Sequence, residues 1–173
     1  MTRYSRSRWG ARAPRPGPGP LDTREVVGIA LHWPAMSSPL HGFDAIAAAL
    51  RSWQTFHMDS RGWSDIAYQE AVDNDGNVYV LRGLGTTSGA NGDTATNAAY
   101  GALLLILAPG EQPTDAMTAA VRRRVAAHRR RFPRSHRIVG HNDIRPEPTS
   151  CPGPIVSKLI DAGVFEPDQE PRR

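Results

Sequence analysis

Tyr100-Gly101-Ala102-Leu103-Leu104-Leu105-Ile106-Leu107 is the stretch on which the fold turns. A continuous apolar run of this length fits a central strand covered on both faces. A half-solvated strand would alternate polar and apolar residues instead. Layers are therefore needed on both sides, and helical patterns elsewhere supply them. Phe43, Ile46, Leu50, Trp53 and His57 recur at steps of three and four, which predicts an amphipathic helix over residues 43–57. Met117, Val121, Val125, His128 and Phe132 form a second stripe, in a helix opened by Pro113 and Thr114, with arginines covering the rest. A last helix is expected over residues 154–162.

Outward from the central run, residues 26–32 read as a buried strand that delivers His32 at its C-terminal end. Residues 66–72 and 78–81 flank Asp73-Asn74-Asp75-Gly76-Asn77, a strand–turn–strand pattern with hairpin chemistry. Ile138-Val139 is a short strand leading into the loop of His141. Strands and helices alternate loosely around one hairpin, so the expected class is mixed α/β: a single domain with a central mixed β-sheet flanked by helices. That domain is expected over residues 21–165. Residues 1–20, rich in Pro, Gly and Arg from Ala11 onward, are expected to form a flexible arm, and residues 166–173 a disordered tail.

The length of 173 residues suits one domain with a real core. A net charge of +4 favours anionic partners such as a cell surface or nucleic acid. Lys158 is the only lysine, which nearly excludes a titrating lysine base. A single cysteine excludes an internal disulfide. Residues 102–108 are too short an apolar stretch to span a bilayer, so no stable membrane insertion is expected. The polar, basic N-terminus carries no secretory signal pattern, and synthesis in the cytoplasm is the expectation.

Candidate chemistry gathers near the C-terminus, in Gly140-His141-Asn142-Asp143-Ile144 and Thr149-Ser150-Cys151-Pro152-Gly153. An imidazole and a thiol on one Gly/Pro-punctuated loop are two of the three protein ligands that a hydrolytic zinc needs. His32, at a strand end, is the third candidate. Two histidines and a thiolate leave Zn²⁺ a fourth position, which makes such a site reactive as well as structural. Among the competitors, His57 and His128 lie on apolar helix stripes and read as core. His136 sits among arginines and reads as exposed, and His41 has no such pattern. Arg122-Arg123-Arg124 and Arg129-Arg130-Arg131 read as a solvated helix face, since no aromatic residues interleave with them as in a single-strand-binding groove. No nucleic-acid partner is expected.

Several of these stretches together resemble a known family. Ser7-Arg8-Trp9-Gly10-Ala11-Arg12, Ala30-Leu31-His32-Trp33-Pro34-Ala35, Gln54-Thr55-Phe56-His57-Met58, Gly62-Trp63-Ser64-Asp65-Ile66-Ala67-Tyr68, Asp75-Gly76-Asn77-Val78-Tyr79 and the His141 and Cys151 segments are similar to those of the zinc-dependent N-acetylmuramoyl-L-alanine amidases of the phage-lysozyme and peptidoglycan-recognition-protein type. The resemblance covers roughly residues 5–160. It implies one Zn²⁺ per chain held by His32, His141 and Cys151. Tyr68 matches the family's active-site tyrosine, and Thr149 occupies a position where members carry lysine or threonine. A hydroxyl there can donate a hydrogen bond but brings no positive charge.

The sequence departs from the family pattern at four places. Trp33 and Pro34 replace the second histidine and the threonine of its His-His-Thr. Gly89-Ala90-Asn91 stands for Gly-Ala-His, and Leu84 for an aromatic after Arg82-Gly83. None removes a ligand. Trp33, Trp63, Arg82 and Asn91 are the candidates for the substrate cleft, although Trp63, between a helix and a strand, reads equally well as core. The resemblance implies a monomeric phage lysin that hydrolyses the amide between N-acetylmuramic acid and L-alanine in bacterial peptidoglycan, reaching the wall after release. A non-catalytic peptidoglycan-binding module and a cytoplasmic muropeptide-recycling amidase are the alternatives.

Overall fold

The computed structural model describes residues 1–17, 19–34 and 36–168. In chain order the elements are β1 (Arg3–Tyr4), α1 (Arg6–Trp9), β2 (Gly28–His32), α2 (Phe43–Thr55), β3 (Glu70–Val72), β4 (Val78–Val80), α3 (Thr94–Ala99), β5 (Tyr100–Leu105), α4 (Asp115–Arg131), β6 (Arg137–Gly140) and α5 (Pro154–Asp161). The strands form one mixed sheet in the order β1-β4-β3-β5-β2-β6. Among these strands β3 and β4 pair antiparallel, and β1–β4, β3–β5, β5–β2 and β2–β6 are parallel. The mixed α/β domain expected from the sequence is what forms.

β5 sits inside the sheet, and its alternating side chains feed both layers. Leu103, Leu105 and the following Leu107 pack with Met117, Val121 and Val125 of α4 and Val156 of α5. Leu104 and Ile106 point the other way, into Ile46, Ala47 and Leu50 of α2 and Trp9 of α1. Each buried leucine contributes about 1.5–3 kcal/mol, which outweighs the poor strand preference of Gly101 and Ala102, worth at most about 1 kcal/mol each. Gly101 is also sterically required. A Cβ there would collide with Nε2 of His128 on α4.

Local chemistry sets the boundaries. Thr114 caps α4 by accepting the Met117 N–H, and Pro154 opens α5. The hairpin closes through Asp73, whose carboxylate accepts the Asn77 N–H at 2.7 Å and the Tyr79 hydroxyl at 3.0 Å. α2 stops at Thr55 and runs into a π-helical turn over Phe56–Ser60, so the helical segment extends past the expected residue 57. α3, capped by Asp93, was not expected.

The expected flexible arm over residues 1–20 needs correction. Arg3 and Tyr4 pair with Val78 and Tyr79 as an edge strand. Trp9 is fully buried and donates its indole N–H to the Val80 carbonyl at 2.8 Å. Arg6 grips the buried Asp65 at 2.7 Å, and Arg12 and Arg15 both reach Asp59. A large aromatic anchor and paired arginines order a segment whose composition alone reads as linker. In the expected disordered tail, Glu166 and Asp168 instead pair with Arg129 and Arg122. Residues 169–173 lie outside the described residues.

Candidate metal centre

His32 is the last residue of β2, and His141 follows the last residue of β6. Those strands are parallel neighbours in a register that sets Leu31 beside Gly140. The next residue on each strand is a histidine, so both imidazoles emerge side by side at the C-terminal sheet edge. Their ring centroids are 4.6 Å apart. Cys151 is brought in by its own loop: the Asn142 N–H binds the Cys151 carbonyl at 2.8 Å, and the Cys151 N–H binds the Thr149 hydroxyl at 3.2 Å. The ligand atoms of the three side chains all lie within 4.8 Å of one another, and no other such cluster occurs among the described residues.

These residues fit a zinc ion on several counts. Sγ of Cys151 is 3.7 Å from Nδ1 of His32. A tetrahedral zinc with nitrogen at about 2.0–2.1 Å and sulfur at about 2.3 Å holds those ligands roughly 3.5 Å apart. Nε2 of His141 is buried without a hydrogen-bond partner among the described residues, the state of an atom waiting for a ligand. Burial, then the neighbouring His141, pushes His32 down to about 3. Burial, then Arg145, pushes His141 down to about 4. Both imidazoles are therefore neutral donors at neutral pH. Burial pushes the Cys151 thiol up to about 11, against the opposing Trp33 N–H at 3.4 Å and Arg145. A divalent cation reverses that and deprotonates the thiol outright, with release of a proton on binding.

Tyr68 stands beside the centre, its ring edge-on to His32 at 5.3 Å between centroids. Burial first, then Cys151, raises its phenol above the ordinary value. Behind it, the π-helical turn aims His57, whose Nδ1 accepts the Ala67 N–H at 3.3 Å. The His57 ring stacks on Trp63 at 5.0 Å and meets Tyr68 edge-on at 6.1 Å. His57 is thus a half-buried bracket between Trp63 and Tyr68, and not the core stripe residue expected. His128 is core, fully buried and bonded to Ser135 at 2.9 Å.

The four cleft candidates separate. Trp63 and Arg82 line a groove of about 380 Å³, together with Ser88, Gly89, Asp93 and Asn97. The Arg82 guanidinium is already committed to the carbonyls of Ile66, Thr87 and Asp65, so it ties the groove's walls together. Trp33 lies elsewhere: its half-buried ring packs on Gly153, where a Cβ would lie 2.9 Å away, and lines a small apolar recess with Leu107 and Pro152. Its backbone N–H serves Cys151. Asn91 needs correction, being fully buried with its amide oxygen 2.9 Å from Nε2 of His32. A buried amide cannot face substrate. Sequence reasoning missed this contact, and the only signal for it was the departure from Gly-Ala-His.

Fold and site define an α/β domain with a candidate metal centre at its sheet edge. The chain belongs to the N-acetylmuramoyl-L-alanine amidase family, which it matches over residues 22–154. It is 31% identical over 160 residues to an N-acetylmuramoyl-L-alanine amidase of Sus scrofa, covering 91% of this chain and 26% of that protein. It is 28% identical to peptidoglycan-recognition protein LB of Drosophila melanogaster, covering 86% of this chain and 63% of that one. The chain thus spans about a quarter of the first relative and under two thirds of the second. Among solved structures, wild-type Drosophila peptidoglycan-recognition protein LB superposes with a TM-score of 0.80 at 24% identity, over 95% of both chains. Peptidoglycan-recognition protein LE, solved in complex with tracheal cytotoxin, a monomeric diaminopimelic acid-type peptidoglycan, gives 0.80 at 26% identity over 94% of both chains.

Proposed function

We propose that this protein is a zinc-dependent hydrolase of the amide between N-acetylmuramic acid and L-alanine in bacterial peptidoglycan. The observation that carries the reading is the convergence of His32, His141 and Cys151 within 4.8 Å beside Tyr68. A non-catalytic binding module has no need of all three donors. When bound there, zinc supplies a Lewis acid and an acidified water at neutral pH. The chain's own residues do the rest. Tyr68, kept protonated by its burial, donates to the carbonyl oxygen as it gains negative charge. Thr149 accepts the Cys151 N–H, which leaves its own hydroxyl proton free to donate to substrate. Trp63 and the groove it lines receive the muropeptide. The family match and the named relatives support the bond and substrate class.

The expected role as a phage lysin belongs to the same proposal, supported by the net charge of +4 and its attraction to an anionic wall. Elemental analysis with a hydrolysis assay tests the reading. One zinc per chain is expected, with activity lost to a chelator and restored by Zn²⁺. Cys151→Ser is expected to lose most of the metal, because a neutral hydroxyl replaces a thiolate poorly. Full zinc occupancy and normal turnover in that variant would overturn the assignment.

A further inference from the structure

Asn91 sits on the segment before α3, fully buried, and every polar atom of its side chain is engaged. Its amide nitrogen faces three acceptors: the Tyr100 carbonyl at 2.9 Å, the Thr96 carbonyl at 3.3 Å and the Ser88 hydroxyl at 3.3 Å. Carbonyl oxygens only accept, so the NH₂ must point at them and the orientation of the amide is settled. The oxygen is then left to face Nε2 of His32 at 2.9 Å. An amide oxygen only accepts as well, so Nε2 must carry the imidazole proton. In a neutral ring the lone pair then lies on Nδ1, the nitrogen 3.7 Å from Sγ of Cys151. The amide is itself held from behind. Oδ1 of Asn97 accepts both the Asn91 N–H and the Ser88 hydroxyl at 3.0 Å, and the Thr96 hydroxyl donates to the Asn91 carbonyl at 2.9 Å.

We propose that Asn91 is a positioning residue for the metal centre: it holds His32 in the Nε2–H tautomer and so presents Nδ1 as the donor. The inference rests on the zinc reading above. The alternative tautomer, Nδ1–H, would aim a proton at the cysteine sulfur and leave no lone pair for a cation. Keeping Nε2–H selected before the metal arrives removes the cost of flipping or re-protonating a buried ring. It also lets the amide raise the basicity of Nδ1, as outer-shell acceptors do for metal-bound histidines. The tie is neutral where a carboxylate would be charged. It therefore orients the ligand without placing an uncompensated anion in a buried site.

The test has two arms and does not depend on turnover. In the first, long-range ¹H–¹⁵N correlation of the metal-free wild-type chain reads the His32 tautomer. Nε2–H is expected, with a proton slow to exchange. In the second, zinc affinity is measured by chelator competition for wild type and Asn91→Leu, with the side-chain signals of His128 and Ser135 reporting that the core is intact. The variant is expected to bind zinc roughly 10–100-fold more weakly, the usual effect of losing an outer-shell partner, and to show a mixture of His32 tautomers. An Nδ1–H ring in the wild type overturns the inference whether or not the variant folds. An unchanged affinity in a folded variant overturns it too. No zinc binding by the wild type overturns the proposed function and this inference with it, whereas zinc binding with either of the other two results overturns this inference alone.

Discussion

At Tyr68, burial and the nearby Cys151 keep the phenol protonated across the working pH range, so the hydroxyl acts as a donor and not as a base. Tyr68→Phe is expected to keep the fold and the zinc while lowering turnover about 10²–10³-fold, the usual effect of removing one transition-state donor. Unchanged turnover at saturating substrate would place the hydroxyl outside the rate-limiting step. Two histidines that are not ligand candidates carry a second expectation. Burial, then Arg129 and Arg124, pushes His128 down to about 4; burial, then Arg82 and Arg61, does the same to His57. Unfolding returns both to about 6.5. Between those values the unfolded chain holds more protons, so stability is fully present above about 6.5 and is lost as pH falls toward about 4. The urea midpoint of the metal-free protein should therefore be lower at pH 5 than at pH 7. Equal midpoints would mean that these rings are not held neutral by the fold.

Helix α4 shows how one element divides its arginines among different tasks. Arg124 is largely buried and reaches Glu70 of β3 at 2.7 Å, a carboxylate with 1% exposure that Arg3 of β1 also contacts. Arg123 and Arg130 are exposed. Arg124→Ala leaves a buried charge short of its main partner and is expected to cost about 3 kcal/mol or more in chemical denaturation. Arg123→Gln with Arg130→Gln is expected to change stability by less than about 0.5 kcal/mol and to leave cleavage of small muropeptides unchanged. The same pair should weaken binding to whole walls at low salt. Equal losses for the two sets would dissolve the distinction. The solvated face read from the sequence is thus correct for Arg123 and Arg130 and wrong for Arg124. Periodicity marks which side of a helix is apolar but not which cation a distant buried carboxylate will meet. Long stripes and the β5 run declared themselves through repetition. β1, with two residues, and α3, with six, are too short for a period to show. Trp9 was visible only as part of a motif. Its burial against Val80 depends on a strand 71 positions away. His32, His141 and Cys151 were legible because metal-ligand residue types stood at strand ends and in a loop. Asn91 was not, because an amide's role depends on which acceptors surround it.

Across the whole molecule, the parallel register of β2 and β6 creates the centre and the loops around it finish it. Sheet register places two donors, the Cys151 loop adds the third, and a chain of ring contacts runs from Trp63 through His57 to Tyr68. No single part of that arrangement performs the proposed chemistry alone. The measurement that bears most directly on it is mass spectrometry of purified peptidoglycan digested by the zinc-loaded protein, with Cys151→Ser as control. Free stem peptides with an N-terminal L-alanine and intact lactyl groups on the glycan are expected, with no such products from the variant. Cleavage within the glycan or within the stem peptide, or the same yield of products from Cys151→Ser, would contradict the proposed chemistry.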